Sequence, residues 1–144
     1  VCRNALAPTE FSYPDGVKVY YTTDVPDDFQ ITTDGNRVQM ILVNFLTNAC
    51  KNTSKGEIHL NCSVTEKVGL VCLSVTDTGS GVPPEKAEYI FERFTKLNAF
   101  KQGNGLGLSI TRNIANAIGG TVFLDTKYTN GARFVLEIPL EFQE

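Results

Sequence analysis

Residues 34–52 read DGNRVQMILVNFLTNACKN, and the reading of this stretch decides the fold. Val38, Ile41, Leu42, Phe45, Leu46 and Ala49 recur at the spacing of one helical face, so the segment is an amphipathic α-helix over about residues 35–51. Asp34 stands where an N-cap belongs. The opposite side is less usual. Asn44 and Asn48 are one turn apart, and Lys51 follows on the same side. Asn is a mediocre helix former, so two of them mid-helix call for a reason. Amide oxygens suit a hard cation such as Mg²⁺, and an ammonium suits a phosphate. On this helix alone a solvated polar face explains the same residues, and the decision rests on the glycine motifs downstream.

Working outward, the rest of the chain alternates strand and helix patterns. Residues 1–16 are irregular and end in a Pro14-Asp15-Gly16 turn signal. Val17–Thr22 and Phe29–Thr33 read as strands on either side of a loop containing Pro26. After Lys55-Gly56, residues 57–65 alternate, with Ile58, Leu60, Cys62 and Val64 on one face. Leu70–Thr76 reads as a central strand, apolar on both faces. Residues 85–94 suit a short helix. Lys96–Asn104 is polar and unpatterned, as a mobile loop would be. A helix is expected over 106–118, with Leu106, Ile110, Ile114, Ala117 and Ile118 on one side and Gly119-Gly120 as its stop. Thr121–Thr126 and Ala132–Leu140 close the list as strands joined at Asn130-Gly131. The mixed order favours an α+β fold: a two-layer sandwich with a mixed, mostly antiparallel sheet of about five strands and about three helices on one face.

Composition sets bounds. A chain of 144 residues is expected to form one domain, 1–144, with an ordinary globular content of 42% hydrophobic and 20% charged residues. The first residue is Val, and the expectation is a piece of a longer protein, with 1–16 the remnant of a linker. Net charge is −3 with no basic run, which argues against nucleic acid as a partner. Cys50, Cys62 and Cys72 lie in apolar patterns and read as buried thiols, and with Cys2 they show no metal-ligand spacing. That usage, and the absence of a transmembrane-length run, fit a cytoplasmic setting.

Three stretches carry chemistry. Asp77-Thr78-Gly79-Ser80-Gly81 follows a buried strand, and a carboxylate there is costly without donors. Gly79 and Gly81 leave room for a flat ligand against the backbone. A carboxylate that accepts from an amino group selects adenine over guanine, whereas a plain Asp-Gly turn is the alternative. Gly103-Asn104-Gly105-Leu106-Gly107-Leu108 precedes a helix, whose free N–H groups form an anion site. It lacks the Gly-Lys-Ser/Thr ending of a Walker loop, and its GxGxG spacing is not a dinucleotide fingerprint, so Asp125 some twenty residues on is coincidence. Phe91-Glu92-Arg93-Phe94 sets an Arg between two rings that by default pack inward; Arg93 is also able to fork onto a phosphate. His59, the single histidine, reads as an ordinary surface residue.

The order Asn-rich helix, DxGxG, FxxF, GxGxG-helix and late Gly131-Ala132 resembles the ATP-binding domain of sensor histidine kinases, within the superfamily of gyrase, heat-shock chaperone and mismatch-repair ATPases. The resemblance spans about residues 17–140. It implies ATP and Mg²⁺ as cofactors. Asn48 resembles the principal Mg²⁺ ligand, assisted by Asn44, with Gln102 a further contact in some members. Lys51 and Arg93 resemble phosphate-contacting residues, and these with Asn44 and Asn48 form the implied catalytic set. Asp77 resembles the acid that binds the adenine amino group, in a pocket shaped by Gly79 and Gly81. Lys96–Asn104 is similar to a lid, and Gly103, Gly105, Leu106, Gly107 and Leu108 to the turn against the phosphates. Asn52 departs from the pattern, which often has an aromatic ring there against adenine. Asn44 stands where the superfamily's ATPases hold a Glu that activates water, and an amide cannot take a proton. The resemblance therefore implies transfer to a histidine on a separate helical dimerisation domain of the same parent chain, then to a response-regulator receiver domain. The fragment itself is expected to be monomeric. A serine kinase of the anti-sigma type and a non-catalytic nucleotide module are the alternatives. Whether the parent is membrane-anchored is left open.

Overall fold

The computed structural model describes residues 16–23, 35–53, 55–65, 69–87, 89–91 and 107–139. Five strands form one sheet in the order β1-β2-β3-β5-β4: β1 (Val17–Thr23), β2 (Gly56–Thr65), β3 (Leu70–Asp77), β4 (Thr121–Leu124) and β5 (Ala132–Pro139). β1 runs parallel to β2, and every other neighbouring pair is antiparallel. A parallel pair needs a crossover connection, and α1 (Gly35–Asn52) lies in it. The second α-helix, α2 (Gly107–Ala117), leads into β4. Where a helix is expected over 85–94, the described residues form two single 3-10 turns, Pro84–Lys86 and Tyr89–Phe91. Pro83 stands at the N-cap and Pro84 opens the first turn, where a proline's missing N–H costs no hydrogen bond.

The six apolar residues of the α1 stripe are the helix's buried residues. They meet the inward side chains of β2, β3 and β5. Phe45 stacks on Phe134 with ring centroids 5.4 Å apart, and Phe91 meets Phe134 edge-on at 6.2 Å. Each fully buried side chain of this kind contributes about 1.5–3 kcal/mol relative to exposure, so the stripe fixes which side of the sheet the helix covers.

Three expectations are corrected. β3 is not buried on both faces: Val71, Leu73, Val75 and Asp77 are buried while Leu70, Cys72, Ser74 and Thr76 are half-buried, because the helices cover one face only. Cys50, Cys62 and Cys72 are half-buried rather than buried. Burial still pushes the Cys50 thiol up to about 11, so it remains protonated at neutral pH. The buried stripe of α2 runs through Leu108, Thr111, Ala115 and Ile118, whereas Ile110 and Ala117 are exposed and Ile114 is half-buried. The stop at Gly119-Gly120 is as expected. Gly119 has φ 76°, its N–H bonds the Asn116 carbonyl, and the Gly120 N–H bonds the Ala115 carbonyl at 2.8 Å, a Schellman ending. Asp34, Cys2 and the strand expected at 29–33 lie outside the described residues.

Candidate functional site

The end of β3 is where the sheet becomes chemically specific. Asp77 is its last residue, opposite Ile58 on β2 and Ala132 on β5, and it is fully buried. Oδ1 accepts from the Gly79 N–H at 2.9 Å and the Ala132 N–H at 3.3 Å. Oδ2 is equally buried and has no partner. Burial raises the Asp77 pKa, and the two backbone N–H groups pull it back in part. The carboxylate is thus held rigidly by one oxygen while the other is left as an acceptor.

The loop after Asp77 lies against the end of α1. The Ser80 N–H bonds the Asn52 carbonyl at 3.3 Å. A Cβ on Gly79 would stand 2.1 Å from that carbonyl and 3.0 Å from Thr53 Oγ1, so no larger residue fits. Gly131 closes the other side. It has φ 153°, and a Cβ there would fall 2.0 Å from the Asp77 carbonyl oxygen. Gly81, with φ 74°, abuts the Gly131 carbonyl. Tyr128 Oη donates to the Asp77 carbonyl at 3.2 Å, and the Arg133 guanidinium covers the Tyr128 ring at 4.6 Å. Thr78 is tied to β2 by two hydrogen bonds with the Glu57 backbone.

The helix side of the site is built differently. Asn44 and Asn48 are half-buried and Lys51 is exposed in the last turn of α1. Asn44 Nδ2 donates to Oγ1 of the fully buried Thr111 on α2 at 3.1 Å. Gly107 opens α2, so the first-turn N–H groups of that helix lack intrahelical acceptors. Leu108 packs its side chain into the core and has only its backbone to offer a ligand. Arg93, Gln102, Gly103, Gly105, Leu106 and the lid at 96–104 lie outside the described residues.

Sequence reasoning missed three residues. Thr53 is buried with an unpaired hydroxyl beside Gly79, Thr111 holds Asn44, and Tyr128 steadies the Asp77 backbone. All three depend on contacts distant in sequence or on burial, which spacing does not reveal. Asp125 takes the Lys127 N–H at 3.0 Å and pairs with Arg133 at 3.5 Å, a turn-forming role consistent with its dismissal as a ribose acid. His59 stacks on Tyr20, 4.4 Å between centroids, and bonds Thr22 on the outer side of the sheet. Burial lowers its pKa, with Arg133 adding to the effect and Glu57 opposing it. An open cavity of about 290 Å³ between residues 80–84 and the β4–β5 turn is lined by Val82, Pro83, Leu124 and Tyr128, and by none of Asn44, Asn48, Lys51 or Asp77.

A buried carboxylate with one oxygen unpaired among the described residues, and two amides one turn apart on the adjoining helix, are groups that suit a purine amine and a hard cation. Among the described residues no three His, Cys, Asp or Glu side chains gather as a metal cluster. Residues 33–142 match the family described as histidine kinase-, DNA gyrase B- and HSP90-like ATPase. The chain belongs to this family. It is 36% identical over 97% of its length to the adaptive-response sensory kinase SasA of Thermosynechococcus vestitus, and spans 37% of that kinase. Its fold matches the full-length ShkA structure in complex with AMPPNP, with TM-score 0.83 and 32% identity over 99% of this chain and 30% of that one. It also matches the catalytic domain of the histidine kinase ThkA, with TM-score 0.81 and 29% identity over 96% of this chain and 90% of that one. The α+β sandwich is the architecture of the histidine kinase catalytic domains that it matches.

Proposed function

We propose that this domain binds ATP with Mg²⁺ and delivers the γ-phosphoryl group to a histidine on a separate helical dimerisation domain of the same parent chain. From there the group passes to a response-regulator receiver domain. The observation that carries the reading is Asp77: one carboxylate oxygen satisfied by two backbone amides, the other buried and unpaired. An unpaired buried acceptor costs about 1–3 kcal/mol, and an adenine amino group placed there relieves that cost. AMPPNP bound to the relative ShkA supports the same nucleotide class.

In this reading Asp77 accepts from the amino group, and the Gly79 N–H holds its other oxygen in place. Asn44 and Asn48 offer oxygens to the cation, and Lys51 reaches the phosphates. Mg²⁺, when bound, neutralises developing phosphate charge. The residues of this chain bind and orient, and the incoming imidazole nitrogen forms the new bond to phosphorus as the bond to the β–γ bridging oxygen breaks and ADP leaves. Asn44 leaves water without a general base, which favours transfer over hydrolysis. Arg93, Gln102, Gly103, Gly105, Leu106, Gly107 and Leu108 belong to the phosphate and lid side of the same site. Residues 1–144 act as one domain, monomeric in isolation, working in the cytoplasm. No helix among the described residues is long and apolar enough to cross a membrane.

Calorimetry on Asp77→Asn tests this. ATP affinity should fall by about tenfold or more, the worth of a charge-assisted hydrogen bond, with GTP binding little changed. Equal losses for both nucleotides would remove the adenine contact and the reading with it.

A further inference from the structure

We infer that Thr111 is a positioning residue for the cation: its hydroxyl turns the Asn44 side-chain amide so that the oxygen, and not the nitrogen, is left for the metal. The inference rests on the assignment of Asn44 to the metal site above.

A side-chain amide has two ends of nearly equal size, and only the oxygen can bind Mg²⁺. A free Asn spends part of its time with the wrong end forward. In this structure α1 packs against α2, and Asn44 Nδ2 donates to Thr111 Oγ1 at 3.1 Å. Thr111 is fully buried and sits at the fifth position of α2 (Gly107–Ala117). A buried threonine inside a helix commonly gives its hydroxyl proton to the carbonyl one turn earlier. The hydroxyl then has only lone pairs to show its neighbour, so that neighbour must be a donor. The NH₂ end of Asn44 meets this requirement and the carbonyl end does not. It is the nitrogen of Asn44, and not Oδ1, that makes this bond. The helix that carries the other amide, Asn48, is thereby tied through one side-chain bond to the helix that begins at Gly107.

Such outer partners commonly shift metal affinity by on the order of tenfold when removed. The test uses Thr111→Val, which keeps the buried shape and deletes the hydroxyl, and Thr111→Ser, which keeps the hydroxyl. ADP binding is titrated by calorimetry with Mg²⁺ and with EDTA. For the wild type the presence of Mg²⁺ should strengthen binding. In Thr111→Val that gain should shrink about tenfold while metal-free affinity stays within about twofold, and Thr111→Ser should behave as wild type. If valine does not fold, Thr111→Ala takes its place in the same titrations. An unchanged Mg²⁺ gain in the hydroxyl-free variant overturns the proposal. So does an equal loss with and without metal, which marks a packing role only, and so does a serine variant as impaired as valine. A wild-type domain indifferent to Mg²⁺ fails earlier: it removes the metal reading of Asn44, and the role of Thr111 falls with it.

Discussion

The two halves of the candidate site are made by opposite means. At the purine end, backbone does the work. Asp77 is locked by two main-chain N–H groups, and Gly79 and Gly131 are there because any Cβ would strike a carbonyl oxygen. At the proposed cation end, side chains of α1 are the candidate ligands, and the Asn44 amide bonds a hydroxyl on a second helix. Where the main chain makes the site, its glycines cannot be replaced without disturbing the fold. A site built from side chains can lose its chemistry and keep its fold.

Substitutions can break that contrast. The largest effect belongs to Asn48→Ala. Phosphoryl transfer in a reassembled kinase should fall by about two orders of magnitude or more, as when an electrostatic catalytic contact is lost. Thermal stability should stay within about 0.5 kcal/mol, since Ala is the better helix former at a half-buried position. A comparable loss of stability would show that the amide is structural. Gly131→Ala should act the other way round. Its φ of 153° and the 2.0 Å approach to the Asp77 carbonyl imply about 1–3 kcal/mol of destabilisation or more, read as a lowered denaturation midpoint. An unaltered midpoint would mean that the β3–β5 approach is looser than described.

The smallest effect is a pH dependence. The folded pKa of Asp77 is raised above its ordinary 3.8, chiefly by burial. A raised carboxyl favours the protonated fold, so its contribution is full below the unfolded value and is lost as pH rises through the folded one. Nucleotide-free Asp77→Asn should therefore match or exceed wild-type stability at neutral pH. Its advantage should shrink as pH falls toward 3.8. Chemical denaturation across that window checks it, and an advantage that grows on acidification contradicts the assignment.

How much of this could be read from the chain differs by region for a physical reason. The α1 stripe was legible in full because six apolar residues at helical spacing have nowhere to go but the core. The strand at 132–140 was legible for a like reason, since Ala132, Phe134, Leu136 and Ile138 all enter the core. The stripe of α2 was misread because its second inward residue is Thr111, polar by composition but buried through a bond to Asn44. The 3-10 turns Pro84–Lys86 and Tyr89–Phe91 escaped notice because such a turn and the first turn of an α-helix accept the same residues. Asp77 and its glycines were readable as motif residues, but the unpaired oxygen, Thr53 beside it and the Tyr128 contact are outcomes of packing.

The contact between Ser80 and the Asn52 carbonyl has an electrostatic corollary. It brings the purine end of the site against the carboxyl terminus of α1, where the helix carries roughly half a negative charge, while α2 begins at Gly107 with a pole of opposite sign. Lys51, in the last turn of α1, sets a cation on that negative pole, so the field at this end of the helix is the small difference of the two, and added salt should blunt it further.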